Sequence, residues 1–167
     1  HPLVIGANYG ALTEDRAAAT VSGRRLLGCL DAFDDLGIAP AGEQFVNLQH
    51  WESSDARAAA HDLVDSGIVF DGAFCMTDTI SIGFVRGLVD RGLRVPEDVA
   101  VIGFDGIREC EDYIPSLSTV ATDLNDLAAK AVDLLLDRLD EGGKDAPVPI
   151  RTLTADFRLI ARESTRR

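Results

Sequence analysis

Two aspartates stand where two apolar runs end: Asp78 follows Gly72 to Met76, and Asp105 follows Val99 to Gly103 in the triplet Phe104-Asp105-Gly106. A carboxylate at such a place can accept hydrogen bonds from a ligand, because ligands of open α/β sheets gather beyond the carboxyl ends of the strands. Each residue also has a plainer reading. Asp78 immediately precedes an amphipathic run, where an aspartate commonly caps the helix, and Asp105 precedes a glycine, where an aspartate forms turns. No helix needs a cap directly after Asp105, so the ligand role weighs more there. Arg25 offers a bidentate clamp for hydroxyls or a carboxylate, or a surface ion pair with Glu14, Asp15 or another neighbouring acid. Trp51 is the single tryptophan; its ring can stack on the C–H face of a sugar or on a base, or it can pack at a rim.

The elements that must hold these residues alternate. Apolar runs at Leu3 to Ala7, Phe45 to Leu48, Gly72 to Met76 and Val99 to Gly103 read as strands. Between them lie helical patterns from about Asp15 to Leu36, from Ser53 or Ser54 as N-cap, and from Thr79 to Arg91. In the first helix Leu26, Cys29, Leu30, Phe33 and Leu36 share one face, and Gly37-Ile38, Gly67-Ile68 and Gly92-Leu93 supply the same stop signal three times. Such a βα series builds a parallel sheet covered by helices on both faces, the three-layer αβα arrangement. Beyond Asp105 an irregular acidic loop spans Ile107 to Ser116 and a short β run spans Leu117 to Ala121. Asp123 then caps a helix to about Asp140 whose apolar stripe, including Leu124, Leu127, Leu134, Leu135 and Leu139, is broad enough for more than one neighbour. Val148 to Leu153 and Phe157 to Ala161 read as closing strands, and Arg162 to Arg167 as a frayed tail.

Composition bounds the function. A chain of 167 residues with 46% hydrophobic and 26% charged residues fits one globular domain. It has no apolar run near the roughly 20 residues a membrane helix needs, and its start does not read as a signal peptide. A net charge of −12 argues against this segment gripping nucleic acid, since phosphate binding needs clustered Lys and Arg. Cys29, Cys75 and Cys110 lack CxxC spacing and read as reduced, mostly buried thiols of a cytoplasmic protein. His1, His50 and His61 lack ligand spacing, and no nucleophile elbow, zinc helix, P-loop or dinucleotide fingerprint occurs. Neither a metal nor a cofactor is expected. A hydrolase using Asp78 and Asp105 as acid and base lacks a recognisable nucleophile.

The run from Thr77 to Ile107, TDTISIGFVRGLVDRGLRVPEDVAVIGFDGI, and the later YIPSLSTVATDLNDLAAKAVDLLL strongly resemble the effector-binding domain of LacI/GalR-type bacterial transcription repressors, itself similar to periplasmic sugar-binding proteins. The resemblance covers nearly the whole chain. It implies a type I periplasmic-binding-protein fold with two lobes, a small sugar or polyol effector between them, a homodimer, and DNA contact only through a helix-turn-helix headpiece outside this chain. Residues 1–116 and 149–167 would then form mostly the C-terminal lobe, and the helix over 122–141 would cross to an N-terminal lobe that precedes His1. By the same resemblance Arg25, Trp51 and Asp105 match effector contacts. Asp78 matches the aspartate of an Asn-Asp pair whose asparagine is Thr77 here, and Thr122 stands where some members place a longer polar contact. An uptake receptor with the same lobes, an export signal and no headpiece is the alternative.

Overall fold

The computed structural model describes residues 1–11, 20–39, 41–141 and 150–166. Among the described residues the strands and α-helices follow one another as β1 (Pro2–Ile5), α1 (Val21–Asp35), β2 (Phe45–Val46), α2 (Ser53–Asp65), β3 (Gly72–Cys75), α3 (Asp78–Asp90), β4 (Ala100–Asp105), the short α4 (Glu109–Asp112), β5 (Ser118–Thr122), α5 (Leu124–Glu141) and β6 (Phe157–Ile160). The strands form one sheet in the order β2-β1-β3-β4-β5-β6, parallel throughout except for the antiparallel β5–β6 pair. The expected open, mostly parallel αβα fold is therefore present.

Strand alternation assigns the two faces. Gly103 faces α3, since a Cβ there would meet the Asp78 and Ser81 side chains. Phe74, Phe104 and Val120 face α1 on the opposite side, across an apolar cavity of about 580 Å³ that Leu3, Val4, Cys29 and Phe33 also line. The core joins Leu3, Val4 and Ile5 of β1 to Val101 of β4 and to Ile80, Phe84 and Leu88 of α3, all buried. α2 and α3 cross closely: a Cβ on Gly83 would land on the Ser53 carbonyl, and one on Gly87 would come within 2.6 Å of the Ala60 Cβ. The three glycine stops hold, with Gly37, Gly67 and Gly92 at φ of 65°, 75° and 80°.

Several local expectations give way. The Asp15 to Ala19 part of the first helix lies outside the described residues, and α1 starts at Val21 after Thr20, whose hydroxyl accepts the Gly23 N–H at 3.0 Å. Leu36 is exposed, because it already stands past the last helical turn as C-cap. Glu52 occupies the cap position of α2, so neither Ser53 nor Ser54 does. The acidic loop contains the single turn of α4. Ile150 to Leu153 carries no strand, while Val148 and Pro149 lie outside the described residues. The tail is docked through residue 166: buried Ser164 accepts the Ser118 N–H at 2.8 Å and donates to the Val101 carbonyl at 2.7 Å, and Arg162 donates to the Leu117 carbonyl.

Candidate functional site

β1, β3, β4 and β5 run parallel, so their carboxyl ends share one edge of the sheet. Asp105 is the last residue of β4 and Thr122 the last of β5, with Asp105 in register with Ala121. Arg25 reaches this edge from the second turn of α1. Its guanidinium donates to Asp105 Oδ1 at 2.7 Å and to the Met76 carbonyl, and it lies 3.8 Å from the centroid of the Phe104 ring. Three directions of the guanidinium are thereby set: a carboxylate, a carbonyl and a π face. The side chains remain accessible to different degrees, 15% for Arg25 and 38% for Asp105.

Burial pushes the Asp105 carboxyl above its ordinary range; Arg25 opposes that rise and the nearby charge of Asp78 adds to it. Thr122 donates from its hydroxyl to the Asp105 carbonyl at 3.4 Å and, with Asp123, Asn125, Asp156 and Arg158, lines a polar pocket of about 340 Å³. Thr77 takes the cap that was one of the two roles expected of Asp78, and Asp78 fills neither of its two. Thr77 caps α3, its hydroxyl accepting the Ile80 N–H at 3.2 Å, so the asparagine position is spent on the helix end. Asp78 is not the cap. Its carboxylate is fully buried, and Oδ2 accepts the N–H groups of Gly106 at 2.6 Å and Ile107 at 2.9 Å. Trp51 follows β2, half-buried and packed against the core.

Sequence reasoning brought Arg25, Asp105, Thr77, Asp78 and Thr122 to this edge but missed Phe104 and the Met76 carbonyl. Phe104 was legible: in β4 it alternates with Gly103, on the face opposite α3, which is the side α1 must occupy. The carbonyl carried no residue-type signal. The thiols of Cys75 and Cys110 are buried and held protonated, both pushed up to about 12 chiefly by burial, and no cluster of His, Cys, Asp and Glu able to hold a metal occurs among the described residues. No helix among them is long and apolar enough to cross a membrane.

Residues 4–165 match the model of the periplasmic binding protein-like domain. The chain belongs to that family. Within it, the chain is 31% identical over 160 residues to the HTH-type transcriptional repressor PurR of Photorhabdus laumondii, covering 96% of this chain and 44% of the repressor. A LacI-type transcription regulator from Bifidobacterium animalis superposes with a TM-score of 0.85 at 30% identity, over 98% of this chain and 58% of that one. A LacI family regulator from Arthrobacter sp. FB24 in complex with lactose superposes with a TM-score of 0.72 at 29% identity, over 99% of this chain and 58% of that one. The resemblance to LacI/GalR effector-binding domains is thus borne out along nearly the whole chain. The chain spans less than half the length of the repressor it matches.

Proposed function

We propose that residues 1–167 are the effector-sensing part of a cytoplasmic LacI/GalR-type transcription regulator that binds a small sugar or polyol between two lobes. The observation that carries this is the Arg25–Asp105 pair at the strand-end edge, in a family whose named relatives are transcription regulators. In this reading Asp105 accepts from effector hydroxyls, Arg25 donates to them, Trp51 stacks on the ring, and Thr77 and Thr122 complete the lobe's wall, while the buried Asp78 supports that wall from behind without touching the effector. Residues 1–116 and 149–167 form most of one lobe, and the helix over 122–141 reaches the other. The regulator acts as a homodimer and grips its operator through a helix-turn-helix headpiece outside this chain. The lactose complex of the Arthrobacter regulator supports a neutral sugar as the type of effector. Solute uptake is the weaker reading, because the named relatives regulate transcription.

An effector changes operator occupancy only through its unequal affinity for two conformers, with couplings of about 1–3 kcal/mol. Hydrogen bonds to charged groups contribute about 1.5–3 kcal/mol, so Arg25→Ala or Asp105→Ala is expected to weaken effector binding about 10- to 100-fold while leaving effector-free operator binding intact. Operator release by neutral sugars, measured on the full-length protein, tests this. Release that survives both substitutions removes the pair from the site.

A further inference from the structure

We propose that Asp78 is a positioning residue: its buried carboxylate fixes the Asp105–Gly106–Ile107 turn and so aims the Asp105 carboxylate at Arg25 and at whatever binds there. The proposal rests on the functional reading above for the identity of the site, but its geometry stands on its own. Thr77 already caps α3, so the Asp78 carboxylate is not needed for the helix end. It reaches 28 and 29 residues along the chain to accept two successive backbone N–H groups.

Those two donors follow an unusual backbone. Asp105 has φ of 119° and Gly106 φ of 80°. A non-glycine residue at positive φ is strained and persists only where its surroundings over-determine it. Here the turn is held from three sides: Asp78 takes its N–H groups, the Thr122 hydroxyl donates to the Asp105 carbonyl, and Gly106 lies so close to β5 that a Cβ would come within 2.5 Å of the Ala121 Cβ. On the other side of the carboxylate, a Cβ at Gly103 would collide with Asp78 Oδ1 and Ser81 Oγ. The packing has been kept open for an acid that never reaches solvent.

Oδ1 has no hydrogen bond of good geometry among the described residues, and it and Ser81 Oγ flank the same Cβ position of Gly103, both within 2.5 Å. An asparagine at this position keeps one acceptor for both N–H groups and turns its amide toward that hydroxyl, whereas alanine removes the acceptor altogether. The clamp therefore predicts that Asp78→Asn works and Asp78→Ala does not.

The experiment uses the full-length protein with amide hydrogen exchange resolved at Gly106 and Ile107, on the wild type, Asp78→Asn, Asp78→Ala and, as a packing control in the same helical turn, Ser81→Ala. Asp78→Ala is expected to speed exchange at both amides at least tenfold, with Asp78→Asn and Ser81→Ala within about twofold of wild type. Unchanged protection in Asp78→Ala overturns the clamp, as does equal loss in Ser81→Ala, which would make the effect one of general packing. Should Asp78→Ala fail to fold, Asp78→Asn still decides: tenfold faster exchange there overturns the clamp, and retained protection supports it. Lactose titrations on the same proteins read the function, with at least tenfold weaker binding expected for Asp78→Ala and rescue by Asp78→Asn. Equal lactose affinity in all variants overturns the positioning role. Absence of any effect of lactose or other neutral sugars on wild-type stability instead overturns the functional reading, while the exchange rates still decide the clamp.

Discussion

Asp105 carries a charge that the folded chain resists. Its carboxyl titrates above the ordinary aspartate value because burial outweighs the help of Arg25. The folded state then binds more protons than the unfolded one in the window just above 3.8, so this group's contribution to stability falls as pH rises through that window. An ionised Asp105 at neutral pH is a net cost to folding, which is how a group held ready for a ligand behaves. Neutral-sugar affinity is expected to drop on acidification with a midpoint above 3.8, and Asp105→Asn to flatten that dependence. Calorimetric titrations from neutral to acidic pH test this, and a midpoint at or below the ordinary aspartate value would sink it. A carboxylate at a strand end before a glycine was visible in the sequence. That Asp78 serves the backbone behind Asp105 was not, because a contact spanning 28 residues leaves no mark in local spacing.

At the scale of elements, the βα alternation and the three glycine stops were legible because period and turn chemistry are local properties of the chain. Helix caps were less so: Ser53 and Thr77 both precede or open helices, but only Thr77 accepts an N–H from its own helix. The docked tail was missed because Ser164 is polar and gains its place by bonding Ser118 and Val101 across the sheet edge. The α2–α3 crossing was missed for a related reason. Gly83 and Gly87 sit inside a helix, where glycine is a poor helix former, and their value lies in letting another helix's backbone approach. Gly83→Ala drives a methyl group into the Ser53 carbonyl, and overpacking of that kind costs about 1–3 kcal/mol. Gly28 in α1 has nothing within 4 Å of its Cβ position, so Gly28→Ala is expected to be neutral or stabilising by up to about 1 kcal/mol. Urea unfolding of the two variants side by side checks the contrast, and equal midpoints would refute the close crossing.

At the scale of the whole molecule, the sheet and α5 point in different directions. α2 and α3 bury their apolar faces within the chain, whereas α5 keeps its stripe in water, with Leu124 67%, Leu135 59% and Leu139 68% exposed. Its start is firmly anchored: Asp123 Oδ1 accepts the N–H groups of Asn125 and Asp126, and Asp126 holds both Lys130 and the Asp156 N–H. A helix that is well capped and unpacked lacks a neighbour rather than a reason to be helical. Fully burying a leucine contributes about 1.5–3 kcal/mol, so a stripe of this length represents several kcal/mol of stabilisation that the proposed crossing of α5 to a second lobe would supply. The same substitution should then act oppositely in two settings. In the chain of residues 1–167 alone, Leu127→Ser with Leu135→Ser is expected to reduce self-association without unfolding the sheet. In the full-length protein the pair is expected to destabilise by about 3 kcal/mol or more per leucine, as for buried leucines. Size-exclusion chromatography with light scattering reads the first effect and thermal unfolding the second. A full-length protein indifferent to both substitutions would show that α5 meets solvent there too, and that the second lobe is built without it.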